Sequence, residues 1–268
     1  MTLIHHLCYP VAVALAALVV IDSMEAERLA RAAAEMQSLS GSTRLAWASL
    51  LERLSLSWYS GARDFAEAYA RIVTAADMAN RRALTAAAGL GALAVVQLVG
   101  VGWFAHARRA ALAWHLNLVA AVAFVVGVLA PMMTVVAHAE VPVLGEVILR
   151  YEAKSLVSTT VDLVAGGNLL LAVLIVLFSM LLPLFKMALV ALAVGAAGAT
   201  LHQRCMVVLH AVGKWSMADV FVVAVLVAFL AGDKDAYSSA HLGPGLYSFA
   251  TYCLLSMFAA QLAQGARQ

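Results

Sequence analysis

Charged residues are scarce in this sequence. Only 12% of its 268 residues are Asp, Glu, Lys or Arg, against about 25% in ordinary globular proteins. Apolar residues make up 64% and the mean hydropathy is +0.93. A soluble fold of this length cannot bury so much apolar surface, and the same composition excludes disorder, a collagen-like fibre and a disulfide scaffold. The composition therefore predicts a helical membrane protein that crosses the bilayer several times.

Cysteine pairs, an excess of one charge and enzyme motifs are also missing. The three cysteines lie far apart without a C-x-x-C pair, which argues against a zinc ribbon and a disulfide framework. The formal net charge of +2 provides no basic surface for nucleic acid. A loose dinucleotide-binding pattern at residues 89–94 lies inside an apolar stretch with no strand before it. We therefore expect no enzyme activity, no cofactor, no metal and no nucleic-acid partner.

Six apolar stretches are candidates for membrane spans, each of which requires about 20 mainly apolar residues. They lie at residues 7–21, 84–105, 111–136, 168–197, 215–231 and 246–263. The first reaches full length only with Leu3 and Ile4. It has no Lys or Arg before it and no small-x-small cleavage site after it, which favours an uncleaved anchor over a signal peptide. The sequence thus predicts an all-α, polytopic fold with about six transmembrane helices.

The short segments that follow the second, fourth and sixth spans set the orientation. They hold five basic residues and no acidic residue: Arg108, Arg109, Arg204, Lys214 and Arg267. The positive-inside rule then places both termini in the cytoplasm. Arg81 and Arg82, at the other end of the second span, partly oppose this assignment.

Residues 24–82 form the longest stretch between spans, and the predicted topology places them on the outer side of the membrane. They contain no proline, and their apolar residues recur at helical spacing. Gly41 and Gly61 predict breaks, so we expect two or three amphipathic helices. Their apolar faces could pack on each other or on the spans, lie in the membrane surface, or dock on a partner. The aromatic candidates for docking are Trp47, Trp58, Phe65 and Tyr69.

The second outer segment, residues 137–167, has a different pattern. Its β-branched residues 141–151 predict a short β-hairpin around Gly145. Ser155 then predicts the cap of a helix over residues 156–165, which Gly166 and Gly167 end. This helix enters the fourth span through the two glycines, a geometry suited to a re-entrant or interfacial element.

Two ionisable residues lie inside predicted spans. Lys186 lies well within the fourth span and Asp219 about one turn into the fifth. A charge near the middle of the bilayer costs roughly 3 kcal/mol, so each side chain should face protein or water and find a partner. The two depths are similar enough for a salt bridge between antiparallel neighbours. Such a pair either fixes helix register or belongs to a water-lined path, a proton relay or a headgroup site.

Two prolines also lie within predicted spans. Pro131 and Pro183 should each free a backbone carbonyl and kink the helix, and the carbonyl freed by Pro183 is that of Ser179. Ordinary kinks and a polar track through the third to fifth spans are both consistent with this pattern. The candidate residues of that track are Lys186, Asp219, Pro183, Pro131, Thr134, Ser216, Trp215 and Asn168.

These motifs, in this order, resemble the paraquat-inducible protein A family, which includes the LetA-type proteins. Residues 130–134 (APMMT) end one span, residues 183–186 (PLFK) lie in the next, and residues 215–221 (WSMADVF) follow. A glycine-rich entry, residues 243–249 (GPGLYSF), leads into the last span. The resemblance covers about residues 115–263, and it implies that Lys186 and Asp219 are the family's intramembrane polar positions.

Two features depart from the family. Its members usually carry cytoplasmic zinc ribbons, and many have two copies of the module. This chain would have one four-helix module, residues 111–268, and no ribbon. Residues 1–110 would add a span, the periplasmic segment and a second span.

The resemblance implies work beside a periplasmic MCE-domain protein, whose tunnel carries phospholipid between the two membranes. The chain would load phospholipid into that tunnel or receive it. Two other functions stay open on the residues: a membrane anchor that docks an envelope complex without transporting anything, and an ion-coupled exporter of small toxic compounds.

Overall fold

The computed structural model describes residues 2–54, 61–104, 109–141, 145–195, 200–211 and 238–264. Helices make up most of this part of the chain, and a three-stranded sheet lies at one end of the helix bundle. We call that end the sheet end and the opposite end the far end. The helical part of the predicted all-α fold is therefore confirmed. Where the sequence predicted a short hairpin, the structure has a sheet of three strands.

Three helices form the part of the chain before residue 105. Helix α1 spans Thr2–Met36, α2 spans Leu39–Leu54 and α3 spans Gly61–Phe104. Helices α1 and α3 pack along each other over much of their length. Within residues 24–82 the structure has three helical stretches, in line with the two or three helices predicted there. The first is the end of α1, the second is α2 and the third is the beginning of α3, so the first and third are continuous with the apolar stretches beside them. No proline lies between residues 10 and 131 to interrupt them.

The chain turns from α1 to α2 at residues 37–38, a few residues before the predicted break at Gly41. Gly41 lies in the first turn of α2, where a Cβ atom would come within 2.0 Å of the Met36 carbonyl oxygen. The glycine is therefore required by the tight turn although the helix does not end at it. Gly61, the second predicted break, is the first residue of α3.

Four helical segments in the described residues are long and apolar enough to cross a membrane: Tyr9–Met36, Arg109–Leu129, Leu169–Gly195 and Pro244–Gln264. They correspond to the predicted first, third, fourth and sixth spans. Residues 84–104 of the predicted second span form the end of α3, which is not among the four. The predicted fifth span, 215–231, lies outside the described residues.

The second of these segments is helix α4, and the third is a helix in three parts. The three parts are α6, Leu169–Ile175, a π-helical turn, Val176–Leu181, and α7, Leu182–Gly195. Helix α8 covers residues 200–211, and α9 covers Pro244–Gln264. On α8 the buried His202 ring lies with Nδ1 2.9 Å from the Ala193 carbonyl oxygen, which ties α8 to α7.

Three antiparallel strands form the sheet in the order β2-β1-β3. Strand β1 spans Met133–Val141, β2 spans Gly145–Lys154 and β3 spans Ser238–Leu242. Met133 pairs with Lys154 on one side and with Leu242 on the other. The predicted β-hairpin is confirmed, but its first strand begins at Met133, eight residues before the predicted start at residue 141.

The third span is shorter than predicted. Helix α4 ends at Leu129, and residues 133–136 belong to β1. Pro131 does not kink a span as predicted, because it follows the end of α4. Proline has no N–H group and disfavours helical geometry in the residue before it, so the helix stops there. The β-branched residues that follow then pair with two strands instead of continuing the helix.

Helix α5, Leu156–Ala165, confirms the prediction made from local sequence. The Ser155 side chain accepts a hydrogen bond from the Ser158 backbone N–H at 3.1 Å, and the Ser158 side chain accepts one from the Ser155 backbone N–H at 2.9 Å. This reciprocal pair is a capping box. Gly166 follows the helix, and Gly167 has φ +77°, a conformation that favours glycine.

Helices α4 and α9 form the tightest contact of the bundle. A Cβ atom on Gly127 would lie 2.8 Å from the Cα atom of Phe249, and one on Gly245 would lie 2.3 Å from the Ala130 carbonyl oxygen. Phe124, Phe249 and Tyr252 pack their rings beside this contact. The main core joins α4, α7, α8 and α9, and a second core joins α1 and α3 to the end of α4.

Candidate functional site

Lys186 lies on α7 in the interior of the bundle, with only 4% of its surface exposed. Its neighbours in sequence, Met187, Leu189 and Val190, belong to the main apolar core. Lys186 precedes Gly195, the last residue of α7, by nine residues, which places it about 13 Å from the far end at 1.5 Å per residue. The cost of exposing an ammonium to lipid explains why it faces protein.

Asn117 on α4 lies at a similar depth and contacts the same part of α7. It follows Arg109, the start of α4, by eight residues, which places it about 12 Å from the far end. Its side-chain Nδ2 donates a hydrogen bond to the carbonyl oxygen of Met187 at 3.1 Å, next to Lys186 in the chain. Asn117 is 6% exposed, and its Oδ1 has no hydrogen-bond partner within the described residues. A strong acceptor is therefore buried beside α7, and no donor for it lies within the described residues.

The helix that carries Lys186 is irregular one turn before it. The π-helical turn Val176–Leu181 ends two residues before Pro183, and the Leu182 N–H donates to the Leu177 carbonyl five residues back. Pro183 has no N–H for the usual helical bond, and its side chain is buried. Such π-helical turns occur frequently at functional sites. The irregular turn, Lys186 and Asn117 together form what we call the intramembrane polar site.

Other predicted members of the polar track lie elsewhere. Pro131 and Thr134 are at the sheet end, where they line a cavity of about 310 Å³ between α1, α3 and the sheet. Asn168 is exposed at the start of α6, without a side-chain capping bond. Lys186 lies 18 residues further along the same span, about 27 Å away along the axis. Pro131, Thr134 and Asn168 therefore do not belong to the intramembrane polar site.

Trp215, Ser216 and Asp219 lie outside the described residues. The salt bridge between Asp219 and Lys186 stays a prediction.

Tyr151 lies in the sheet-end cavity beside Thr134. Burial raises the pKa of its phenol above the ordinary 10.0; a hydrogen bond with Thr134 opposes this effect and the charge of Glu27 adds to it. The phenol therefore stays protonated at neutral pH and remains able to donate a hydrogen bond.

The aromatic docking candidates are spread over two helices. Trp47 on α2 is 68% exposed and shares one face of that helix with the exposed Leu50 and Leu51. Phe65 and Tyr69 lie on the first turns of α3 and are partly exposed, while Trp58 lies outside the described residues.

Asn117 is the functional candidate that the sequence interpretation missed. The predicted polar track extended over the third to fifth spans but did not include this residue of the third span. A neutral amide between Leu116 and Leu118, in the middle of an apolar stretch, is also costly to bury and was the available signal.

Long apolar helices, a buried lysine and a buried amide define a polytopic helical membrane protein with a polar site inside its bundle. A family model, paraquat-inducible protein A, matches residues 110–266, which is more than half of the chain. The chain belongs to the paraquat-inducible protein A family. Membership confirms the resemblance inferred from residues 130–249 and is consistent with a role in a cell-envelope system of that family. No curated protein and no solved structure matches the chain.

Proposed function

We propose that this chain is the inner-membrane component of an MCE-type lipid transport system. It loads phospholipid into a periplasmic MCE tunnel or receives phospholipid from it. The proposed topology has six spans and cytoplasmic termini, which places the sheet end in the periplasm. The role is transport and not catalysis.

The observation that carries this proposal is the intramembrane polar site within the family-matched residues. A lysine and an amide are both buried in an apolar bundle, which is costly, and the amide oxygen has no donor within the described part of the chain. Polar groups at that depth commonly serve a substrate or ion path. In the proposed mechanism a phospholipid enters among the third to fifth spans, and a change of protonation at Lys186 and Asp219 favours its release.

Substituting Lys186 tests the mechanism. We expect Lys186→Met to abolish lipid transfer to an MCE-domain acceptor while membrane insertion and yield stay normal, and Lys186→Arg to keep part of the transfer because it keeps the charge. Leu184→Ala, two residues earlier on the exposed side of the same helix, is the matched control and should transfer normally. Normal transfer by a correctly inserted Lys186→Met variant would exclude the mechanism.

Isolation from native membranes tests the assignment to an MCE system. The full chain, extracted in a mild detergent, should co-purify with an MCE-domain protein and with phospholipid, both identified by mass spectrometry. Reproducible recovery with other envelope proteins and without an MCE domain would assign the chain to another system.

The exposed apolar face of α2 supports a second candidate, a non-transporting anchor that docks an envelope complex. Trp47, Leu50 and Leu51 lie on one face of α2. If docking is the whole function, Trp47→Ser with Leu51→Gln removes the partner, and Lys186→Met has no effect. If transport is the function, Lys186→Met stops transfer and leaves the partner bound.

A further inference from the structure

A second cavity, of about 510 Å³, lies at the sheet end between α1, β2 and α5. Its volume is within the range of small-molecule sites, roughly 300–1,000 Å³. Helix α1 comes from the added N-terminal segment, whereas β2 and α5 lie within the residues that match the family. The cavity therefore exists only because this chain combines the two parts.

The walls of the cavity carry equal numbers of opposite charges. Its basic residues are Arg31, Arg150 and Lys154, and its acidic residues are Glu35, Glu152 and Asp162. Arg150 pairs with Glu152 at 2.5 Å, and Lys154 pairs with Glu152 at 3.4 Å and with Asp162. A guanidinium has five N–H donors and an ammonium three, so these cations retain donors beyond those pairs.

Glu35 differs from the other two acids. Within the part of the chain that the structure describes, its carboxylate has no ion pair, and the side chain is exposed. The cavity thus has a carboxylate, that of Glu35, which can bind a cation. It also has basic side chains, those of Arg150 and Lys154, which can donate hydrogen bonds to an anion. The matching ligand carries both a phosphate and an ammonium.

Helix α5 places the base of this cavity at the surface of the bilayer. Its residues Val157, Val161 and Val164 are exposed and follow a spacing of four and three, so they form one apolar face. That face continues into the exposed leucines at the start of α6, which begins a membrane span. Ser158 and Asp162 line the cavity instead. An amphipathic helix in this position lies in the membrane interface, with its polar face at headgroup level.

We propose that this cavity binds the headgroup of a zwitterionic phospholipid from the periplasmic leaflet. The phosphate accepts hydrogen bonds from Lys154 and Arg150, and the ammonium of the headgroup binds Glu35. An anionic lipid fits less well, since it has no ammonium for Glu35 and is repelled by it. The inference rests on the proposed function, for which it names the lipid class and an entry or exit point.

Photo-crosslinking in a membrane tests the site directly. The full chain carries p-benzoylphenylalanine in place of Leu149, which lines the cavity and is 63% exposed. It is placed in nanodiscs with equal amounts of phosphatidylethanolamine and phosphatidylglycerol, and lipid adducts are counted by mass spectrometry. We expect phosphatidylethanolamine adducts to exceed phosphatidylglycerol adducts at least threefold.

Two substitutions test the contact with the ammonium and the contact with the phosphate separately. Glu35→Gln should lower the lipid preference toward equality by reducing phosphatidylethanolamine adducts, because the ammonium loses its partner. Glu67→Gln, an exposed glutamate on α3 outside the cavity, is the matched control and should keep the preference. Lys154→Gln should reduce the adducts of both lipids, and if that variant folds poorly, Glu35→Gln still decides because Glu35 has no ion pair to lose in the described residues.

Equal adduct yields in the unsubstituted chain, or equal behaviour of Glu35→Gln and Glu67→Gln, would overturn the proposal. Lipid transfer is measured on the same preparations. Transfer without any lipid preference at position 149 overturns this inference and leaves the proposed function intact. A clear phosphatidylethanolamine preference without transfer supports the site and contradicts the proposed function.

Discussion

Replacing Asn117 by leucine separates the two effects of this buried amide. The substitution removes the hydrogen bond from Nδ2 to the Met187 carbonyl, whose net contribution is about 0.5–1.5 kcal/mol. It also removes the unmet Oδ1, and relief of an unsatisfied buried acceptor is worth about 1–3 kcal/mol. Leucine has the same branching and the same number of side-chain heavy atoms as asparagine, although its methyl groups are larger, and it suits the apolar core around α4. The free energy of unfolding should therefore stay constant or rise by up to about 2 kcal/mol.

Thermal unfolding of the full chain in nanodiscs measures this change. At about 2–4 °C per kcal/mol for a protein of this size, the Tm of Asn117→Leu should rise by roughly 0–8 °C. Asn117→Asp keeps the acceptors, loses the amide donor and buries a carboxyl group, so its Tm should fall. Under the proposed function, lipid transfer by Asn117→Leu should decrease even though the protein is as stable as before.

A loss of more than about 1 kcal/mol in Asn117→Leu would refute this reasoning, because it would mean that Oδ1 has a donor in the folded protein. A gain of stability with unchanged transfer would instead show that the amide has no part in transport. The two readouts thus test the packing argument and the functional argument separately.

Three further predictions concern packing, capping and pH. Gly127→Ala and Gly245→Ala should each lower stability by about 1–3 kcal/mol in thermal unfolding, because the new Cβ atom meets Phe249 or Ala130, whereas Gly195→Ala meets no atom within 4 Å and should not. Ser155→Ala should cost about 1 kcal/mol and speed amide hydrogen exchange at Ser158, since it removes one side of the capping box. The Arg150 guanidinium lowers the pKa of Glu152 below 4.5, and the Asp162 carboxylate raises the pKa of Lys154 above 10.5. Their pairs, worth about 1 kcal/mol or less at a surface, should contribute fully between these pH values. The stabilisation by Glu152 should be lost as pH falls below 4.5, and that by Lys154 as pH rises above 10.5. The measurement is the difference in the free energy of unfolding between the unsubstituted chain and Glu152→Gln at each pH. If the difference in unfolding free energy between the two proteins does not change as the pH is lowered, the lowered pKa of Glu152 is contradicted.

Local signals predicted the elements that local interactions determine. Ser155 and the two glycines gave both ends of α5, because capping needs only residues within one turn. The composition and apolar stretches likewise predicted the four long apolar helices.

Long-range pairing limited the prediction elsewhere. Strand β3, with the sequence SSAHL, has no β-branched residue and forms because β1, about 100 residues earlier, offers it an edge. The end of the third span was predicted too late for the same reason. The apolar residues Val135 and Val136 are compatible with a membrane helix, and only their pairing with β2 and β3 shows that they form a strand.

The candidate sites follow the same division. The cost of an intramembrane charge predicted the burial of Lys186 from one residue. The contact of Asn117 with α7 depends on which helices are neighbours, and the 510 Å³ cavity combines α1 with β2, more than 100 residues later. Neither arrangement has a sequence signal of its own.

The unbroken course of α1 and α3 has a mechanical consequence. At 1.5 Å per residue, their 35 and 44 residues make rods about 52 and 66 Å long. Each helix continues beyond an apolar stretch toward α2, and after Pro10 no proline interrupts either of them. Both also pack against the end of α4. A force applied at α2, which contacts both helices, would therefore be carried along them to the end of α4.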